Sequence, residues 1–427
     1  MKNQFAISRL PTLIGACIAG LTACGGGSVA PVTITVAGPN AVSYWNEVAT
    51  NTVTAAATAT GSAAEQRPDA FLDQAVVHLA IYDALMAITK THKPYAITPA
   101  ADAEGASQEA ATAAAAYGVL KGMYPNRSSL YQAAYDTYVG GLAAGTATSK
   151  GLTLGAEVAQ RMLALRGDDG RSVVLATYVP GTAPGQFRGT NPVARPTAFE
   201  KPLALTGAAQ FRLPPPPALD SATYAQDYNE VRQIGGTVSA TRTETQLDIA
   251  RFHTEPPPRF WARNLRNFAM TNRSLADHAR LMAILLTAQA DASIACFDSK
   301  YFYQAWRPQS AIPLGDTDGN AATAADAAWT PVVPTPNHPE YPAAHGCVSG
   351  AVTEALKAFY QTDQVTFSFD STVTNTAHKF ATTQALVDEV QVARIYGGMH
   401  FRYSTVAGIT LGTNVGQWVV ANNFQAR

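Results

Sequence analysis

A mostly α-helical protein, two packed helix bundles joined into one large domain, is what the sequence predicts. Three observations carry this. Apolar residues recur at spacings of three and four along most of the chain. Strand-type alternation is scarce, with 364–370 the one candidate. Of 427 residues, 47% are hydrophobic and 14% charged, which supports a large buried core and excludes a disordered chain.

The elements follow in order. Residues 64–89 place Phe71, Ala75, Val76, Leu79, Tyr82 and Leu85 on one helical stripe, with His78 on the same apolar face as a core residue. The Ala-rich stretch 108–122, then 128–144 and 151–166, keep the helical period. Residues 167–216 are rich in Gly, Pro and Arg, lack a period and end in the run Pro214 to Pro217, which predicts a long ordered connection. Helical pattern returns at 221–235, 243–252, 259–272, 276–306, 346–361, 383–394 and 404–422, with a loop at 312–342. The resulting division is an N-terminal helical half, 41–213, and a C-terminal half, 214–427.

The first segment is an address. Lys2 and Arg9 precede an apolar run from Leu10 to Leu21, too short to span a bilayer and suited to a signal peptide. Leu21-Thr22-Ala23-Cys24 resembles a bacterial lipobox, which implies cleavage after residue 23 and lipidation of Cys24. Residues 24–40 then form a flexible tether. No later stretch reads as long and apolar enough to cross a membrane. The expected location is outside the cytoplasm, at the periplasmic face or cell surface, or secreted, with the N-terminal lipid as the membrane contact. A formal net charge of −1 provides no global basic field for nucleic acid. Four Cys in a chain of this length do not make a disulfide scaffold.

Three clusters carry chemistry. In Lys300-Tyr-Phe-Tyr-Gln-Ala-Trp-Arg307-Pro308, two cations seven residues apart lie on one face if the helix continues to Pro308. They suit an anion clamp; the alternative is a pair of surface cations with snorkelling stems. In His338-Pro-Glu-Tyr-Pro342-Ala343-Ala344-His345, a helix start after Pro342 directs free N–H groups at an anion and sets His345 to move a proton. A lone His is otherwise more often a structural group. In Arg394-Ile-Tyr-Gly397-Gly398-Met-His400-Phe-Arg402-Tyr-Ser404, the Gly pair allows a bend that brings His400 back to Arg394.

The order K-x6-R-P, P-A-A-H and R-x5-H resembles the signature of the type-2 phosphatidic acid phosphatase and vanadium-dependent haloperoxidase superfamily. Ser43-Tyr-Trp-Asn-Glu, His78 to Asp83, Asp291 to Asp298 and Gly397 to Arg402 resemble its long bacterial haloperoxidase-type branch, over most of 40–425. The resemblance implies an oxyanion site in the C-terminal bundle. It implies vanadate as cofactor, with Lys300, Arg307 and Arg394 neutralising its oxygens and the N–H groups of Ala343 and Ala344 as further donors. His400 would bond vanadium, or attack phosphorus in a phosphatase. His345 would be the acid/base. Hydrogen peroxide and a halide, or a phosphoester, would be the substrates, and helical relatives that pair leave a homodimer open. The chain has no dinucleotide-binding Gly fingerprint and no P-loop, and the resemblance calls for neither nucleotide nor haem.

Three departures stand out. Ala343 and Ala344 replace Ser and Gly, and Ser404 replaces an Asp, leaving a hydroxyl but no charge beside His400. His338 stands where bromide-oxidising relatives carry a His, which favours bromide or iodide. Cys296 and Cys347 flank the first two clusters, either as a bridge or as two buried thiols. Asp316-Thr-Asp318-Gly-Asn320 has calcium-loop spacing, but Ala327 falls where the closing Glu would stand, so it reads as a solvated turn.

Overall fold

The computed structural model describes residues 30–34, 38–55, 70–269 and 272–427; residues 1–23, Cys24 and Gly25–Ser28 lie outside them. Thirteen α-helices dominate the described residues. The N-terminal half holds α1 (Ala41–Val53), α2 (Ala70–Thr89), α3 (Gln108–Met123), α4 (Ser128–Gly140) and α5 (Thr146–Leu165). The C-terminal half holds α6 (Ala222–Ile234), α7 (Glu244–Phe252), α8 (Pro257–Leu265), α9 (Leu275–Tyr303), the single turn α10 (Pro308–Ala311), α11 (Ala344–Tyr360), α12 (Thr383–Tyr396) and α13 (Arg402–Asn422). Side chains of Asn40, Ser107, Ser221, Thr243, Ser274 and Thr382 cap helix starts by accepting a backbone N–H.

Small residues set the closest helix pairs. The Ala-rich α3 lies against α5, where a Cβ on Gly155 would meet the Ala111 carbonyl at 2.3 Å. In the C-terminal half α11 lies against α13. A Cβ on Gly408, Gly412 or Gly416 would stand 2.3, 2.0 or 2.6 Å from the carbonyls of Ala343, Cys347 and Ala351. One buried apolar cluster runs from Val42 through α2 and α9 to Phe424, so the two halves share a core.

Four expectations change. Helix α9 stops at Tyr303, where Gln304 takes the left-handed conformation (φ 50°), rather than running to 306. Val32–Thr33, inside the segment read as a tether, is a strand (β1) pairing in parallel with β2 (Val365–Ser371). A third strand, β3 (Thr376–Phe380), pairs antiparallel with β2. Finally, α2 and α9 are each long and apolar enough to cross a membrane, with mean hydropathy 1.4 over an 18-residue window. That window is 89% buried in protein in both, because a helix enclosed on every side is apolar all round.

Two buried carboxylates hold the loops of the N-terminal half by their backbone. Asp83 on α2 accepts the N–H groups of Tyr95, Ala96 and Ile97. Asp291 on α9 accepts those of Leu203, Ala204 and Leu205 at 2.6, 2.7 and 2.9 Å, fixing the long connection. Both acids belong to segments that carried the family resemblance, and both serve the scaffold. His78 is core, accepting a hydrogen bond from Asn46 at 3.0 Å.

Candidate active site

The N-terminus of α11, the 338–342 loop and the turn between α12 and α13 meet at a cavity of about 310 Å³. His253, His338, Ala344, His345, Arg394 and His400 stand in its wall, with apolar neighbours that include Phe71, Trp261, Phe297, Val333 and Met399. Lys300 and Arg307 lie behind that wall, fully or almost fully buried.

The convergence has local causes. Arg307 is not on a shared helical face with Lys300. It follows the left-handed turn at Gln304 in extended conformation (φ −86°, ψ 157°), and the reversal carries it back toward the site. Beyond α12, Gly398 takes φ 75°, and a Cβ there would meet the Gly235 carbonyl at 2.3 Å. That bend returns His400 to the cavity beside Arg394. The α11–α13 contact sets the start of α11 beside the start of α13. Ala343 donates its N–H to the Ser404 carbonyl (3.0 Å), so of the two backbone donors expected at this helix start Ala344, in the cavity wall, is the one that remains.

Each cation is tied to neutral acceptors. Lys300 Nζ donates to the carbonyls of Pro339 and Glu340, both at 2.9 Å. Arg307 donates to the His338 and Met399 carbonyls, to His400 Nε2 at 2.8 Å and to His338 Nδ1 at 3.0 Å. Arg394 donates to the His253 carbonyl and touches the Met399 sulfur. Its Nε is buried without a hydrogen-bond partner among the described residues. Burial pushes the Lys300 ammonium down to about 8, and pushes both guanidinium groups down while leaving them charged at neutral pH.

The residue that sequence reading missed is Glu340. Its Oε1 accepts His400 Nδ1–H at 3.0 Å and the Phe401 N–H at 3.1 Å, and the side chain is fully buried. Burial raises its carboxyl to about 7, against the opposing pull of Arg307 and Lys300. Ser404, expected beside the His400 ring, instead donates to the Glu340 carbonyl at 3.3 Å. The carboxylate absent from position 404 therefore comes from the 338–342 loop. The signal was an acid between two prolines, five residues before His345. His253, at the end of α7, had no sequence signal at all.

These contacts fix the histidine tautomers. With Nδ1–H given to Glu340, His400 keeps a lone pair on Nε2, now accepting from Arg307. His345 donates Nε2–H to the His253 carbonyl at 3.2 Å, leaving its Nδ1 as a base. Burial first, then the surrounding cations, hold both rings well below the usual histidine range, so both are neutral at pH 7.

The donor set fits an oxyanion. Among the described residues none of the three buried cations bonds a carboxylate, the buried Glu340 joins their site through His400, and Arg394 Nε is an unused donor. Such an excess of buried positive charge calls for an anion. Cys296 and Cys347 are free thiols in contact, 2.7 Å between sulfurs. Asp318 accepts from Thr323 and Asn320 donates to the Leu219 and Ser221 carbonyls, so these side chains are spent on holding the turn and its neighbour.

Comparison with known proteins agrees with this architecture. Residues 280–426 match the family described as the VCPO second helical-bundle domain. The vanadium chloroperoxidase of Curvularia inaequalis is 29% identical over 124 residues, a match covering 24% of this chain and 20% of that protein. The chain thus spans about a fifth of the length of that curated relative. Among solved structures, the first bacterial vanadium-dependent iodoperoxidase superposes with a TM-score of 0.73 at 22% identity, covering 92% of this chain and 99% of that one. A holo bacterial vanadium-dependent chloroperoxidase gives 0.65 at 16% identity, covering 91% and 98%. The chain has the vanadium-haloperoxidase fold, and its residues 280–426 match the VCPO second helical-bundle family.

Proposed function

We propose that this chain is a vanadate-dependent haloperoxidase that oxidises bromide or iodide with hydrogen peroxide. The observation that carries the reading is the neutral His400 in the cavity wall, its Nδ1–H held by Glu340 and its Nε2 lone pair left to accept, now from Arg307, among three buried cations. Lys300, Arg307, Arg394 and the Ala344 N–H would hold vanadate, with His400 Nε2 as its nitrogen ligand. Vanadate bound there would supply a Lewis acid that activates peroxide. Arg307 and Arg394 offer fork-shaped donors to the oxygens of such an anion. His345 takes a proton at Nδ1, and the apolar wall restricts water.

A phosphatase would use the same cations and His400 as its nucleophile, but would need His345 protonated to release an alcohol. Burial keeps His345 neutral at pH 7, the form that accepts a proton rather than the cation that would protonate a leaving alcohol, and this favours peroxide. Iodide finds further support in the iodoperoxidase neighbour. The test is a paired assay on purified protein. Bromide- and peroxide-dependent halogenation of a phenol after vanadate loading, lost in His400→Ala, is the expected result. Vanadate-inhibited phosphate release without halogenation would overturn it.

We propose further that the protein acts outside the cytoplasm, tethered through Cys24. Release from the membrane fraction in Cys24→Ser tests this; a soluble parent would refute it.

A further inference from the structure

Behind His345 lies a cluster that the reaction described above does not use. His253 Nε2 meets Glu389 Oε1 at 2.9 Å, and His378 Nδ1 meets the same oxygen at 2.8 Å. His378 Nε2 then meets Asp248 Oδ2 at 3.0 Å. The four residues come from α7 and its cap, β3 and α12. Side-chain exposure is 42% at Asp248, 15% at His378, 19% at Glu389 and 2% at His253, so the cluster runs from solvent to the active-site wall. The Phe252 ring stacks on His378 at 3.7 Å, fixing both imidazole nitrogens on carboxylates.

The inner end meets the acid/base. His253 and His345 both line a second, small chamber of about 10 Å³, together with Ser349 and Val390. That is about the space one water needs. Ser349 Oγ is buried there without a hydrogen-bond partner among the described residues, as a water-binding hydroxyl would be.

We propose that Asp248, His378, Glu389 and His253 form a proton store for His345, reached through one water in this chamber and refilled from solvent at Asp248. The inference rests on His345 being the acid/base. Both His378 nitrogens face carboxylates, and with Nε2–H on Glu389, His253 has a free Nδ1. When His345 gives up a proton, one N–H bond breaks there and one forms at His253 Nδ1; the cluster gains one positive charge and no electrons change hands. The return step reverses this. Glu389 stabilises the His253 cation, while burial, Arg394 and His378 oppose it, so the proton is held weakly and returned readily. Halide oxidation needs such a reservoir: peroxide first gives up a proton, and forming hypohalous acid and water consumes that proton and one more from solvent.

Glu389→Gln keeps the shape and removes the charge. In vanadate-loaded enzyme we expect kcat to fall about tenfold, with KM for halide, vanadate affinity and melting temperature at parental values. We also expect kcat to become dependent on small-buffer concentration and to show an enlarged solvent isotope effect. Unchanged kcat and isotope effect would overturn the store, as would loss of vanadate affinity together with melting temperature. Histidine-selective 15N NMR supplies a readout without turnover. The store predicts that protonation of His253 Nδ1 shifts His378 in the parent and not in Glu389→Gln; independent titration of the two rings overturns it. A parent inactive in halogenation and phosphate release refutes the function reading instead, and the spectra then decide the store alone.

Discussion

Glu340 Oε1 accepts the Nδ1–H of His400 at 3.0 Å, with neither side chain more than 2% exposed. This pairing orients the ring and raises electron density at Nε2, as carboxylates do behind metal-bound histidines. Glu340→Gln should keep the hydrogen bond and lose the charge. We expect vanadate to bind about 10–100-fold more weakly, with circular dichroism at the parental spectrum. Ser404→Ala, measured by the same titration, should shift affinity several-fold less, because its hydroxyl reaches only a carbonyl.

Stability should depend on pH through two neighbours with opposite signs. Glu340 titrates at about 7 when folded against 4.5 unfolded. Between those values the folded state holds a proton that the unfolded chain has released, so stability falls as pH rises. Lys300 titrates at about 8 when folded against 10.5 unfolded. Between those values the unfolded chain holds the extra proton, so stability rises with pH. Each limb amounts to about 3 kcal/mol. Urea unfolding of anion-free protein from pH 4.5 to 10.5 should show the lower limb vanish in Glu340→Gln and the upper limb in Lys300→Met, each relative to the parent.

Arg307→Lys tests whether fork geometry matters. Lysine cannot serve the His338 and Met399 carbonyls and His400 Nε2 together. Losing two charge-assisted bonds to an anion should weaken vanadate binding about 100-fold, read by equilibrium dialysis, while circular dichroism stays parental.

Gly412→Ala should disturb the site from a distance. Its Cβ would stand 2.0 Å from the Cys347 carbonyl on a facing helix backbone. Prying α13 from α11 should cost roughly 1–3 kcal/mol in denaturant unfolding and lower kcat. Gly38→Ala, with nothing within 4 Å, should do neither.

The helices were legible because burial leaves a 3.6-residue period, and the three clusters because their residue types and order are specific. What stayed hidden was relational. The Gln304 reversal that redirects Arg307 involves a residue without a turn signature. Glu340 substitutes for a carboxylate that the motif places at 404, and no spacing rule connects the two positions. The β1–β2 pairing joins residues more than 300 apart through a two-residue strand, too short for any period. His253 and His378 are isolated in sequence and meet only on Glu389.

The Asp291 clamp has an evolutionary corollary. It reads three backbone N–H groups and no side chains, so only proline is barred from 203–205 on hydrogen-bonding grounds. Upstream in the same connection, Val193, Ala194 and Thr197 form part of the cavity wall. The course of this segment is therefore anchored independently of its composition there. Descendants of the chain are free to re-tailor this part of the cavity wall for new ligands while Lys300, Arg307, Arg394 and His400 stay as they are.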